Sequence, residues 1–224
     1  EHGDPDTPPV CTDAEADYLL DFANQYFTQH LTRDDIVWTY SGVRPLYDDG
    51  AKSATAATRD YVLSLDDSAA PILSVFGGKI TTYRKLAENA LAKLEPSVGG
   101  TGPWTAGVAL PGGDFPVGDV EKLVADLRAD YGFLDARWAL RLVRGYGTEA
   151  RDILGTAQEA CDLGADFGAT LTAAEVDWLM AREFARTAED IVWRRSKLGL
   201  RMTADQIAAL DTYMRDCDNA PDEA

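Results

Sequence analysis

The stretch Pro71-Ile-Leu-Ser-Val-Phe-Gly-Gly-Lys-Ile-Thr-Thr-Tyr-Arg-Lys-Leu86 changes its hydrophobic period in mid-course. Ile72 to Phe76 is a short apolar run between Pro71 and two glycines, the pattern of a buried strand. Beyond Gly78, Ile80, Tyr83, Leu86, Ala87, Ala90, Leu91 and Leu94 recur at helical spacing, and Pro96 is expected to end that helix. Few chains can accommodate this except as strand, glycine turn and helix. Two residues without a Cβ let another molecule approach the backbone, and a helix start presents free N–H groups and partial positive charge. Lys79 adds a full charge there, so the turn is a candidate anion site. A Gly-Gly pair also serves as a tight turn and nothing more, and that alternative stands beside it. The stretch is not a phosphate loop of the nucleotide-hydrolase kind, because Leu73 stands where its first glycine belongs and Ile80 where its Ser or Thr belongs.

Charge makes the few cations informative. Against 21 basic residues the chain carries 38 acidic ones, a formal net charge of −17 over 224 residues. Such a field repels phosphate backbones and anionic headgroups, which argues against nucleic-acid binding. Any anion site must therefore be a local gathering of Arg and Lys. No apolar run approaches the roughly 20 residues of a membrane span, and no signal segment is evident. Cys11, Cys161 and Cys217 have no metal or redox spacing and are expected as free thiols in a cytoplasmic setting. With only His2 and His30, a histidine-built metal site is not expected.

Along the chain, Thr12-Asp-Ala-Glu15 is a capping box opening a helix over 13–31, with the apolar stripe Tyr18, Leu19, Phe22, Ala23, Tyr26 and Phe27 expected to pack on something larger. Ile36 to Leu46 reads as a strand rich in β-branched and aromatic residues. Within it Arg44 precedes Pro45 and springs from stiff backbone, either as an anion ligand or as half of a structural ion pair. Thr58 to Leu65 is a further strand, carrying Arg59. These strands and the Ile72–Phe76 strand form an antiparallel group on which Arg44, Arg59 and Lys79 can converge. Val98 to Phe115, with six glycines, is a linker. From there helices are expected over 120–131, 134–144 and 148–157, with capping boxes at Thr172-Ala-Ala-Glu175 and Thr203-Ala-Asp-Gln206 opening two more. Glu189 to Gly199 is expected to close a helix with Arg194, Arg195 and Lys197 in its last turn and Gly199 at its C-cap, for dipole compensation rather than binding.

The fold class is thus α+β and mainly α: part of an antiparallel β group with two helices, followed by an all-α bundle. The expected division is 1–97 for the first part, 98–115 for the linker and 116–224 for the helical cap. The opening His2-Gly-Asp-Pro-Asp-Thr-Pro-Pro9 reads as a loop in mid-course, as in a piece of a longer protein.

Taken in order, Tyr40-Ser-Gly-Val-Arg-Pro-Leu46, Thr58-Arg-Asp-Tyr61, Leu73 to Leu86, Leu110-Pro-Gly-Gly113 and Trp193-Arg-Arg-Ser-Lys-Leu-Gly199 resemble the C-terminal portion of the FAD-dependent glycerol-3-phosphate dehydrogenases. The resemblance implies a flavoenzyme that oxidises sn-glycerol 3-phosphate to dihydroxyacetone phosphate and passes electrons to a membrane quinone. It implies Arg44, Arg59 and Lys79 at the substrate, with Gly77, Gly78, Lys79, Ile80 and Thr81 laid against FAD. A cytoplasmic protein with peripheral contact to the inner face of the membrane, and a homodimer, are also compatible with it. The G-x-G-x-x-G turn of a dinucleotide-binding half is missing from this stretch, since Gly99-Gly-Thr-Gly102 follows a helix and precedes a loop. Neither His2 nor His30 matches the family's proton-accepting histidine. This stretch by itself is therefore expected neither to hold FAD tightly nor to turn over. Two alternatives remain: an alpha-glycerophosphate oxidase that gives electrons to oxygen, and a helical interaction or dimerisation module. Exposure of Trp138, Trp178 or Trp193 would favour the module, and burial of all three would count against it.

Overall fold

A computed structural model describes residues 6–42, 47 and 60–218. The chain is mainly helical, with seven α-helices and two small antiparallel β-pairs among the described residues. It divides into two compact units, Glu1–Val108 and Ala109–Ala224.

In the first unit, α1 (Asp13–Asn24) starts as its sequence dictates. The Thr12 hydroxyl accepts from the Glu15 amide, and the Glu15 carboxylate accepts from the Thr12 amide at 2.9 Å. The helix is shorter than the 13–31 expected. The Asn24 side chain accepts from the Leu31 amide and donates to its carbonyl, and Arg33 reaches back to Asp13 and Asp17, so the chain turns along the helix instead of extending it. Tyr18, Phe22 and Tyr26 form an aromatic row along α1, and the stripe they belong to is exposed.

Strands β1 (Val62–Asp66) and β2 (Ile72–Phe76) pair antiparallel, with Val62 opposite Phe76 and Asp66 opposite Ile72. β2 lies where the sequence puts it, whereas β1 starts later than the Thr58 expected. Residues 36–42 of the expected first strand form no strand, and 43–46 lie outside the described residues. After a 3-10 turn (Ile80–Thr82), α2 runs Tyr83–Val98 with Pro96 inside it. Contrary to the expectation from the sequence, Pro96 does not end this helix, because a ring in the last turn deletes one hydrogen bond without having a further turn to disrupt. Gly99, at φ +73°, ends it instead.

The second unit holds α3 (Val120–Asp130), α4 (Ala136–Tyr146), α5 (Ala150–Leu154), the hairpin β3 (Asp166–Gly168) and β4 (Leu171–Thr172), α6 (Ala173–Glu183) and α7 (Ala204–Asp218). Leu127, Leu142, Val143 and Leu154 fill one core among α3, α4 and α5. Val176, Leu179, Ile191, Leu210 and Met214 fill a second between α6 and α7. Truncating a fully buried Leu142 or Leu210 to Ala would cost about 2–5 kcal/mol. Tyr146 touches both cores.

Three features of this unit differ from the sequence reading. The Thr172–Glu175 capping box does not form: Thr172 is the N-cap without a side-chain bond, because the Glu175 carboxylate turns inward to Arg141. The second box does form, with Thr203 accepting from the Gln206 amide and Gln206 from the Thr203 amide. The Glu189–Gly199 segment is not an α-helix with a glycine cap but a π-helical turn, Asp190–Arg195, followed by a 3-10 turn, Leu198–Leu200. Gly199 lies against the Trp193 ring, where a Cβ would come within 2.6 Å of the indole. Arg195 donates to the Glu183 carbonyl at 2.7 Å and Lys197 to that of Trp193. These cations cover carbonyls, as dipole compensation requires, although of a different helical form.

Candidate functional site at the glycine turn

The antiparallel pairing of β1 and β2 delivers the chain to Gly77 and Gly78 at φ +69° and +109°, a region that residues with a Cβ avoid. A Cβ on Gly78 would meet Leu86 Cδ1 at 3.3 Å and Tyr61 Cβ at 3.7 Å, so the turn is also closed by packing. Lys79 is extended (φ −129°, ψ 147°) and its carbonyl accepts from the Thr82 amide at 3.0 Å and the Thr82 hydroxyl at 3.1 Å. Its side chain is exposed and makes no ion pair with any described residue.

The 3-10 turn leaves the Ile80 and Thr81 amides without an acceptor among the described residues, and neither Lys79 nor Thr82 supplies a side-chain cap. Ile80 is 84% exposed, so its side chain is open to a ligand at the turn. Two amides and an ammonium without a partner among the described residues, beside a Cβ-free backbone, together offer hydrogen bonds to the oxygens or ring carbonyls of a ligand. These donors suit a dinucleotide cofactor's edge or a phosphate, and the exposed Ile80 suits the flat face of a ring system.

Of the expected site residues, the structure brings Gly77, Gly78, Lys79, Ile80 and Thr81 into one turn. Arg44 and Arg59 lie outside the described residues. The sequence reading missed what anchors the helix behind the turn. Glu88 is buried, and its carboxylate accepts from the Thr105 hydroxyl at 2.6 Å, Arg84 at 2.9 Å and Lys85 at 2.9 Å. The Thr105 hydroxyl and Lys85, with the charge of Arg84, pull its pKa down to about 2. The i,i+4 and i,i+3 spacings of Arg84, Lys85 and Glu88 were the available signal, but Thr105 arrives from a distant loop.

The Leu110-Pro-Gly-Gly113 motif has its own explanation in the second unit. Gly112 (φ +71°) and Gly147 (φ +58°) lie backbone to backbone, the Thr148 amide donating to the Gly112 carbonyl at 3.0 Å. A Cβ on Gly112 would collide with the Tyr146 carbonyl, and one on Gly147 with the Gly112 carbonyl. Trp138, Trp178 and Trp193 are each half-buried, satisfying neither outcome set for an interaction module. Phe133 packs edge-on against Trp138, and Arg182 lies 5.1 Å over the Trp178 ring.

Similarity to known proteins now joins this geometry. Over 215 residues the chain is 47% identical to the aerobic glycerol-3-phosphate dehydrogenase of Escherichia coli K12, covering 95% of this chain and 42% of that protein. It is 44% identical over 199 residues to the D-erythritol 1-phosphate dehydrogenase of Brucella abortus, covering 87% of the chain and 39% of the relative. The mitochondrial glycerol-3-phosphate dehydrogenase of Rattus norvegicus is 30% identical over 203 residues, or 85% of the chain and 27% of the relative. The chain therefore spans less than half the length of each of these relatives. Residues 103–215 match the family model described as the C-terminal domain of alpha-glycerophosphate oxidase. With half of its residues inside that match and its remaining length aligned to glycerol-3-phosphate dehydrogenases, this chain belongs to the glycerol-3-phosphate oxidase and dehydrogenase family.

Proposed function

We propose that this chain is the C-terminal part of a flavoenzyme that oxidises sn-glycerol 3-phosphate to dihydroxyacetone phosphate. The observation that carries the reading is the glycine turn, whose Ile80 and Thr81 amides and Lys79 ammonium meet no partner among the described residues, in a chain 47% identical to a glycerol-3-phosphate dehydrogenase. Arg44, Arg59 and Lys79 hold the phosphate dianion and the reacting end of the substrate between them, rigid cations being what such a dianion requires. Their field also favours the alkoxide that develops as the secondary hydroxyl loses its proton. Gly77, Gly78, Lys79, Ile80 and Thr81 bring backbone and donors to the cofactor, which when bound is FAD and accepts the hydride from carbon two. The amides of Ile80 and Thr81 would donate hydrogen bonds to the bound cofactor, and the Ile80 side chain would shield it from water.

Electrons leave for a membrane quinone through peripheral contact of the intact protein with the membrane; no helix among the described residues is long and apolar enough to cross one. Without the remainder of the protein, this part is inactive. The match of residues 103–215 to a domain of alpha-glycerophosphate oxidase favours a second reading for the acceptor alone, in which oxygen replaces quinone. Reoxidation of the reduced intact enzyme by oxygen and by quinone, followed by stopped flow, separates the two.

The decisive experiment measures glycerol 3-phosphate-dependent dye reduction by the intact enzyme and its Arg44→Ala and Lys79→Ala variants. Each variant is expected to lose on the order of 10²-fold in kcat/KM. Unchanged activity in both would dismiss the site. Because one relative is a D-erythritol 1-phosphate dehydrogenase, that polyol phosphate is assayed alongside, and preference for it would correct the substrate.

A further inference from the structure

A residue outside the site described above supports the glycine turn from behind. Tyr61 stands one position beyond the last pair of the β1–β2 ladder, Val62 opposite Phe76, and so at the level of the glycines. Its Cβ lies 3.7 Å from the point where Gly78 would carry one, and Leu86 of α2 approaches the same point at 3.3 Å. The Tyr61 hydroxyl accepts from the Asn89 side-chain amide on α2 at 2.7 Å, while its backbone amide donates to the Asp60 carboxylate at 3.0 Å. One half-buried side chain thus joins the start of β1, the turn and the helix behind it.

The turn needs such a tie. Glycine has more accessible backbone states than other residues, so the shape of a Gly-Gly pair depends on what packs against it. Leu86 belongs to the helix that the turn itself leads into, whereas Tyr61 comes from the preceding strand. Tyr61 also follows Arg59 by two residues, and two residues of chain span at most about 7 Å, so whatever fixes Tyr61 also restricts Arg59. Asn89 is exposed, and a hydrogen bond open to water adds little stability. What the bond does supply is a single orientation of the tyrosine ring between the turn and α2.

We propose that Tyr61, held by Asn89, is a positioning residue that fixes Arg59 and the glycine turn relative to each other for the oxidation of glycerol 3-phosphate. The inference rests on the function proposed above, which assigns Arg59 and Lys79 to the substrate. A charge displaced by about 1 Å from a reacting group can cost on the order of 10² in rate, so loss of this tie should be visible in the kinetics.

The test is steady-state glycerol 3-phosphate oxidation by the intact enzyme. Tyr61→Phe, which keeps the ring, and Asn89→Leu should each lower kcat/KM about tenfold, through whichever of kcat and KM Arg59→Ala changes. The double variant Tyr61→Phe/Asn89→Leu should be no worse than either single one, since both remove the same bond. Tyr61→Phe should cost nothing further in an Arg59→Ala background, yet keep its tenfold cost beside Arg44→Ala. A general loosening of the fold would not distinguish the two arginines. In the substrate-free enzyme, hydrogen exchange of residues 77–86 should quicken at least threefold in Tyr61→Phe, with Tm within a few degrees of the parent. Parental kinetics in both single variants, unchanged exchange, or an undiminished Tyr61→Phe loss in the Arg59→Ala enzyme each overturns the proposal. Unchanged oxidation in Arg59→Ala itself removes the assigned role of Arg59 together with this inference, whereas a crippled Arg59→Ala beside a normal Tyr61→Phe removes the inference alone.

Discussion

Replacing Glu175 by Ala should be among the most damaging single changes in the second unit. Its side chain is 1% exposed and accepts from Arg141 Nη1 and Nη2, each at 2.6 Å, and from the Tyr146 hydroxyl at 2.7 Å. Burial works against charge on Arg141, yet the Glu175 hydrogen bonds more than offset it and raise the guanidinium's pKa. Burial, followed by the Glu175 charge, pushes the Tyr146 hydroxyl's pKa up. Arg141 also donates to the Thr170 hydroxyl and carbonyl, at 2.9 and 2.7 Å, pinning the turn between β3 and β4. There Ala169 and Thr170 sit at φ +50° and +69° without being glycine.

Removing one partner of a buried pair leaves an uncompensated charge and costs about 3–5 kcal/mol. For a unit of about 116 residues the unfolding entropy near its midpoint is about 0.24 kcal/mol/K, so a loss of about 4 kcal/mol lowers Tm by roughly 15 °C. Thermal unfolding followed by near-ultraviolet circular dichroism, which senses Tyr146, measures the shift. The double variant Arg141→Met/Glu175→Leu removes both charges and should recover most of the loss, because the penalty lies in the orphaned guanidinium rather than in a missing attraction. A Glu175→Ala cost below about 1 kcal/mol, or a double variant as unstable as the single, would refute this reasoning.

Gly112→Ala should destabilise the second unit by on the order of 2 kcal/mol or more, since it forces a Cβ into the Tyr146 carbonyl at a positive φ; a denaturant midpoint unchanged from wild type would contradict this. Ala169→Gly relieves a left-handed alanine and should raise the same midpoint, by about 0.5–1 kcal/mol. Glu88 has a folded pKa near 2, below its unfolded value of about 4.3, so its contribution to stability is full above pH 4–5 and is lost as the pH falls toward 2. Carbon-detected NMR titration of Glu88 should therefore show its midpoint near 2, and Thr105→Val should move it upward by removing the largest cause of the depression.

Several elements could be read directly from the chain because their determinants are local. The Thr12 and Thr203 capping boxes form because donor and acceptor sit three residues apart whatever surrounds them. β2 and the turn after it follow from an apolar run and two glycines that can take positive φ. The candidate site was legible only as a turn. Its Lys79, Gly77 and Gly78 stand in one short motif, whereas the Glu88 anchor depends on Thr105, seventeen positions away. The β3–β4 hairpin gave no signal, since Ala169 and Thr170 are not residues that announce a two-residue turn with positive φ.

The sequence by itself determined where most of the helices begin and that a glycine pair joins β2 to α2, but not which apolar faces are covered, since the α1 stripe and Ile72, Val75 and Phe76 of β2 are exposed. The helix starts and the glycine turn depend on neighbours a few positions apart. The tertiary structure decided the rest by competition between partners. Glu175 could have capped its own helix, but the partly buried Arg141 offers two charge-assisted hydrogen bonds where the Thr172 amide offers one neutral bond, and the carboxylate goes to the stronger donor. The close approach of Gly112 to Gly147 has the same origin: it exists because a segment distant in sequence occupies the space beside it.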